Sequence, residues 1–320
     1  MAARRLLASP RAGAQLRAAF DAIRDEVGAP RGFTPQVLAE AQAAAAEPPD
    51  PDLDLTDIEF VTVEPAGSKD LDQAMSLARS ATGFRLHYAI ADVGGFVNPG
   101  GPMDREAHVR GLTLYCPDTR VPLTPPVLSE GAASLLPGVD RPAAVWTIDV
   151  DRYGEGTAVQ VRRARVRSRA QLSFEDAQRV VENGSDEQLA LLRELGILRQ
   201  ERERAHGGMS ITLPEQEIVA RNGSYELAYR APLPVEDWNA QMSLLTGAAA
   251  ADLMLRGGTG VLRTMPDPAD GDLAQLRRTA QALEIKIGHV VFDAEALTEL
   301  GRQPPQLPGV HPRVARDHQV

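Results

Sequence analysis

Ile58-Glu59-Phe60-Val61-Thr62-Val63-Glu64 and the loop that leaves it, Glu64-Pro65-Ala66-Gly67-Ser68-Lys69-Asp70-Leu71-Asp72-Gln73, decide how this chain is read. The first stretch is β-branched and aromatic, which predicts a strand. The second is polar, can turn at Gly67, and holds three carboxylates within ten residues. Gln73 to Arg79 and Phe84 to Asp92 follow as a hairpin turning near Thr82-Gly83, so the acidic loop joins two strands. In an extended backbone Asp70 and Asp72 project to the same side, and a turn at Gly67 can fold Glu64 back toward them. Clustered carboxylates repel one another unless a hard divalent cation lies among them, and Mg²⁺ or Mn²⁺ takes oxygen ligands and bridges to phosphate. The loop therefore reads as a phosphoryl-transfer metal site, with a solvated acidic loop as the competing reading.

Outward from this centre, residues 1–50 read as a short helical appendage and linker. Ala, Leu and Arg dominate to about Ala46, with a break at Gly28-Ala29-Pro30, and prolines and acids fill Glu47 to Asp52. Beyond the hairpin, Pro102 to Arg110 predicts a helix, Leu112 to Tyr115 a strand and Pro125 to Leu136 a helical stretch. Ala143 to Val150 and Thr157 to Val166 predict two strands around Tyr153-Gly154-Glu155-Gly156. Helical periodicity runs from Ser173, a capping residue, to Ala205. Ser210 to Ala220 and Tyr225 to Ala231 form a second hairpin around Asn222-Gly223, and Val235 to Leu255 a buried core helix. Further helices are expected over Asp272 to Glu284 and Asp293 to Leu300. The main domain is thus residues 51–300, and residues 301–320, without apolar periodicity, a disordered tail.

The 320 residues carry 44 acidic and 34 basic side chains, a net charge of −10, with 43% hydrophobic residues. This composition excludes disorder throughout. No run is long and apolar enough to predict a membrane span, and Arg4, Arg5, Arg11 and Arg17 interrupt any secretory signal. A lone cysteine, Cys116, fits a reducing, cytoplasmic setting. The acidic balance argues against a protein that coats nucleic acid. It leaves room for carboxylates gathered at one metal. Lys69 and Lys286 are the only lysines, so positive charge is almost all arginine, whose planar fork suits phosphate; genomic base composition is the simpler cause of that skew. In the run Arg162 to Arg169, strand alternation puts Arg163, Arg165, Arg167 and Arg169 on one face about 6.8 Å apart, near the phosphate repeat of an extended single strand. A charged edge strand that resists aggregation is the alternative.

Several linked runs follow the acidic loop in order: Tyr88 to Val93, Asp104 to Ala107, Arg110-Gly111-Leu112-Thr113-Leu114-Tyr115-Cys116-Pro117-Asp118, and Leu128-Ser129-Glu130-Gly131-Ala132-Ala133-Ser134-Leu135-Leu136-Pro137. Together they resemble the RNB catalytic domain of the ribonuclease II / ribonuclease R family over about Leu55 to Leu255. The resemblance implies an α+β fold, a mixed sheet or barrel surrounded by helices. It also implies a Mg²⁺-dependent enzyme that hydrolyses single-stranded RNA from the 3′ end to nucleoside 5′-monophosphates by a two-metal mechanism.

Residue by residue, the family's four metal-site aspartates match Glu64, Asp70, Asp72 and Gln73, with Asp72 at the most critical position and Asp70 beside it in the catalytic set. The family's RNA-stacking tyrosine matches Tyr115, for which a core strand tyrosine is the alternative. Three departures stand out. Gln73 keeps an oxygen and loses the charge. The terminal-base aromatic has no counterpart between Met209 and Val219. Nothing after Leu255 matches the family's Ser-Pro-x-Arg-Arg-Tyr type motif, so the catalytic domain reads as incomplete at its C-terminal end. A catalytically impaired RNA-binding relative of the same fold is therefore the alternative expectation, and a purely structural α+β domain a third.

Overall fold

A computed structural model describes residues 10–205, 215–221 and 224–262, with isolated positions between 269 and 278. The expected helix over Asp293 to Leu300 and the tail over residues 301–320 lie outside the described residues, as do most of Asp272 to Glu284 and the start of the second hairpin. The chain divides into two compact units at Thr246 and Gly247.

In the first unit, α1 (Pro10–Glu26) and α2 (Pro35–Ala46) precede a closed barrel of five strands. These are β1 (Phe60–Glu64), β2 (Gln73–Ser80), β3 (Gly83–Ala91), β6 (Asp140–Asp151) and β7 (Gly156–Ser173). Neighbours pair antiparallel around the ring until β7 meets β1 in parallel and closes it. A barrel this small has a narrow interior, which its sequence fills with short side chains. Ala74, Ala89, Ala143 and Ala164 are buried inward beside Phe60, Val145 and Val166, with Leu71 and Leu135 in the same cluster.

Between β3 and β6 the chain makes α3 (Pro102–Arg110) and a short ribbon, β4 (Leu114–Tyr115) with β5 (Arg120–Val121). The helix expected over Pro125 to Leu136 is present but shorter, helical over 126–132 with a wide turn at Leu128–Ala132. Pro125 and Pro126 supply no N–H to a helix ladder. At the other end the Ser134 hydroxyl and the Leu135 N–H are bonded to the acidic loop rather than to their own segment.

The helical run after Ser173 is two helices, α4 (Phe174–Asn183) and α5 (Glu187–Ala205). Ser173 caps the first by accepting from the Asp176 N–H at 3.0 Å. Gly184, at φ 62, ends it in the left-handed conformation that glycine adopts without strain. The hairpin β8 (Glu215–Arg221) with β9 (Ser224–Arg230) leads to α6 (Pro234–Gly257). Within the first unit α6 buries Val235, Trp238, Gln241, Met242 and Leu245, the helical spacing of one face. In the second unit α6 ends at Gly258, whose φ of 65 turns the chain as the Thr259 N–H reaches back to the Met254 carbonyl at 3.2 Å. No helix among the described residues is long and apolar enough to cross a membrane.

Helix α5 approaches α6 at Gly196, where an added Cβ would lie 2.5 Å from the Trp238 Cβ. Alanine there gains about 1 kcal/mol of helix propensity and loses more by overpacking. Gly196→Ala is expected to lower stability by about 1–3 kcal/mol, read as a fall in the urea midpoint at unchanged slope.

Candidate nucleic-acid and metal site

The acidic loop leaves the barrel at Glu64, turns at Gly67 (φ 83), and re-enters at Gln73. Its backbone is pinned from four directions. The Ser134 hydroxyl accepts from the Leu71 N–H at 2.9 Å and donates to the Lys69 carbonyl at 2.6 Å. The Leu135 N–H reaches the Leu71 carbonyl, and the Ala91 N–H the Asp72 carbonyl, both at 2.8 Å. Gln171 donates its side-chain N–H to the Ser68 carbonyl at 2.7 Å. Leu71 is fully buried, so alternation about it turns Asp70 and Asp72 away from the core.

Glu64, Asp70 and Asp72 come close enough to feel one another's charge. Burial first, then Asp72 and Asp70, push the Glu64 carboxyl up to about 8. The Asp72 carboxyl is raised by the protein packed around it and by Asp70, although the residue as a whole is exposed to solvent. Asp70 has found a cation: Arg120 Nη1 lies 2.6 Å from its Oδ2, and the same guanidinium reaches Glu130 at 2.5 Å. Gln73 accepts a short hydrogen bond from the Tyr88 hydroxyl on β3.

The expected ligand set of Glu64, Asp70, Asp72 and Gln73 is thus divided. Among the described residues no three acids, histidines or cysteines are drawn together closely enough to hold a metal ion. Like charges stay apart without a cation between them, and Arg120 supplies that cation to Asp70 alone. The remaining pair still fits Mg²⁺ or Mn²⁺. Mg²⁺ is commonly held by one or two carboxylates and completes its shell with water and substrate phosphate. Glu64 and Asp72 have no cationic side chain paired to them among the described residues, and burial first, then neighbouring carboxylates, raise both carboxyls.

Tyr115 lies directly across the ribbon from Arg120 and is 45% exposed, so it is not a core tyrosine. Burial first, then Asp70, raises its hydroxyl, and its cross-strand partner Arg120, bonded to Asp70, sets the ring near the acidic loop. Arg163, Arg165, Arg167 and Arg169 share the outer face of β7, with Ala164, Val166 and Ser168 buried between them. Each is matched to acid. Arg163 meets Asp92 at 2.9 Å, Arg165 meets Asp50 and Asp54, Arg167 meets Asp140 at 2.6 Å, and Arg169 meets Asp186 at 2.6 Å. This stretch is not an open edge, since β6 lies on one side and the Arg165 backbone bonds Leu53 and Leu55 on the other.

Arg120, Glu130, Ser134 and Tyr88 are the site residues that sequence reasoning missed. Tyr88, Glu130 and Ser134 stand inside the runs that carried the family resemblance, which was the available signal. Arg120 gave none. Helix α6 also reaches the site, with the Asn239 side chain donating to the Val63 carbonyl at 3.3 Å.

Residues 53–308 match the RNB domain. Escherichia coli Ribonuclease R is 32% identical over 202 residues, covering 59% of this chain and 24% of that protein. An Arabidopsis thaliana protein named as an inactive exonuclease is 34% identical over 159 residues, 48% of this chain and 15% of its own. Among solved structures, Mycoplasma genitalium RNase R in complex with ribose-methylated single-stranded RNA superposes with a TM-score of 0.77 at 25% identity, covering 89% of this chain and 48% of that one. The chain spans less than half of each of these proteins. With the five-stranded barrel and its acidic loop in place, the match over most of the sequence makes this chain a member of the RNB-domain family of ribonuclease R and exoribonuclease 2.

Proposed function

We propose that this protein hydrolyses single-stranded RNA from the 3′ end, releasing nucleoside 5′-monophosphates with Mg²⁺ or Mn²⁺ by a two-metal mechanism. The observation that carries this reading is the pair Glu64 and Asp72, short of positive charge at the barrel's end beside the exposed ring of Tyr115. When bound, the metal supplies an activated water and offsets charge at the leaving oxygen. Glu64 and Asp72 would hold it. Asp70, on the same pinned loop, would join them once Arg120 turns to another partner, and Gln73 would orient oxygen at the margin. Tyr115 offers a flat face for a base, and the outer arginines of β7 would form a phosphate track by exchanging the acids they now meet for phosphate. Single-stranded RNA is the partner this reading requires.

A second reading has its own support: an RNA-binding relative with impaired chemistry. Gln73 is neutral and engaged by Tyr88, while Asp70 is neutralised by Arg120. Both facts weaken metal affinity without touching Tyr115.

End-labelled poly(A) with Mg²⁺ separates the two. Under the first reading mononucleotides accumulate, and Asp72→Asn slows their release by roughly a hundredfold or more while RNA is still bound. RNA binding with no turnover, indifferent to Asp72→Asn, establishes the second reading.

The Glu64 carboxyl adds a pH signature. Its folded value lies above the ordinary 4.5, so its contribution to stability is fully present below 4.5 and is lost as pH rises through about 8. In EDTA the melting temperature is expected to fall across that window, and Glu64→Gln to flatten the fall. At pH 8, Mg²⁺ should raise the melting temperature of the unaltered protein more than that of Glu64→Gln.

A further inference from the structure

Within the first unit, the Arg120 guanidinium stands between two carboxylates from different segments. Its Nη1 lies 2.6 Å from Asp70 Oδ2 on the acidic loop, and its Nη2 lies 2.5 Å from Glu130 Oε1 on the turn Leu128–Ala132. The backbone under both carboxylates is held. Ser134, just beyond that turn, is bonded on either side of Asp70, accepting from the Leu71 N–H at 2.9 Å and donating its hydroxyl to the Lys69 carbonyl at 2.6 Å. Arg141 holds the same turn, donating to the Ser134 carbonyl at 2.9 Å and to the Gly131 carbonyl at 3.3 Å. The spacing of Asp70 and Glu130 is therefore set by a bonded frame, and the long arginine side chain is the part that can move.

The two carboxylates differ in what else they can serve. Asp70 shares its loop with Asp72 and Glu64, whereas Glu130 stands on another segment. A guanidinium on Asp70 offsets the charge of that carboxylate and occupies an oxygen that a divalent cation would use. Its like charge also opposes any cation entering beside Glu64 and Asp72. Glu130 offers the release. It already holds the second nitrogen of the fork, so Arg120 can leave Asp70 without becoming an unpaired charge.

We infer that Arg120 is an internal counter-ion that competes with the divalent cation for Asp70, and that Glu130 is the carboxylate that keeps Arg120 when the cation takes Asp70. Arg120 and Glu130 are thus positioning residues that act on the metal through Asp70. The inference rests on the metal-dependent function proposed above and gives that site a control over its own loading. By linkage, whatever draws Arg120 toward Glu130 tightens the metal, and the metal in turn draws Arg120 toward Glu130.

The test is Mn²⁺ binding to the full chain without RNA at one fixed pH, read as loss of the free-ion electron paramagnetic resonance signal, with circular dichroism confirming the fold of each variant. Arg120→Gln is expected to tighten Mn²⁺ roughly tenfold, a coupling within the range of contacting charged groups. Arg120→Lys should fall between it and the unaltered chain. Glu130→Gln, which leaves Arg120 to Asp70, should weaken Mn²⁺ instead. A gain in affinity is not what damage to the fold produces. Both shifts should vanish in an Asp70→Asn background, whereas charge acting on the metal at a distance would persist there. Mn²⁺ affinity unmoved by Arg120→Gln, or moved equally with and without Asp70, overturns the competition and leaves the proposed function standing. Loss of all Mn²⁺ binding in Asp70→Asn alone overturns it as well, because Asp70 would then be a ligand that Arg120 does not withhold. If Arg120→Gln does not fold, Glu130→Gln decides: weakening that needs Asp70 supports the competition, and unchanged affinity overturns it. No Mn²⁺ binding by any folded form overturns both readings.

Discussion

Backbone pairing from Phe60 with Ser168 to Glu64 with Ser173 joins the first barrel strand in parallel to the last, and the site depends on that closure. Parallel strands need a long connection, and here it consists of three further barrel strands, α3 and the ribbon. Because β1 is bonded on both sides, Glu64 ends at a fixed point rather than at a frayed edge. Its loop must then return to β2 within a few residues, which concentrates Glu64, Asp70 and Asp72 at one end of the barrel. Ser134 and Leu135, bonded to Lys69 and Leu71, keep that loop from relaxing away from its own charge.

Many arginines of the first unit have an acid partner, among them Arg24, Arg79, Arg85 and the outer arginines of β7, while of the loop's acids only Asp70 has a paired arginine among the described residues. Arg120 is the exception that reaches them, and it takes only Asp70. Burial, with the neighbouring carboxylates, therefore leaves Glu64 and Asp72 holding protons more readily than free acids do. The same guanidinium links the loop to the ribbon that carries Tyr115. The Tyr115 ring and the acidic loop are consequently neighbours in space, although residues from Glu64 to Glu130 build them.

Much of this was legible along the chain. The strand ending at Glu64, the hairpin after Gln73, the helix Pro102–Arg110 and the cap at Ser173 follow from local patterns, because β-branched alternation, helix-start proline and serine capping act within a few residues. The outward face of Arg163 to Arg169 follows from strand periodicity alone. The helix expected over Pro125 to Leu136 stops at Ala132 partly for a reason the local pattern does not hold: Ser134 and Leu135 spend their polar groups on a loop more than sixty residues earlier.

The sequence by itself determined which side chains could carry chemistry here, since a run of acids, a tyrosine motif and an arginine-only basic set are properties of composition and spacing. It also determined the α+β class, through patterns that alternate between the two periods. Tertiary structure alone decided how those groups are charged and paired. Arg120 lies 50 residues from Asp70 in the chain and 2.6 Å from it in space. Electrostatic energy depends on distance and on the water excluded between groups, and neither is written in the order of residues. That is why the carboxylates could be named from the sequence, while the division among them, with Asp70 matched to arginine and Glu64 and Asp72 left without a paired cation among the described residues, had to await the folded barrel.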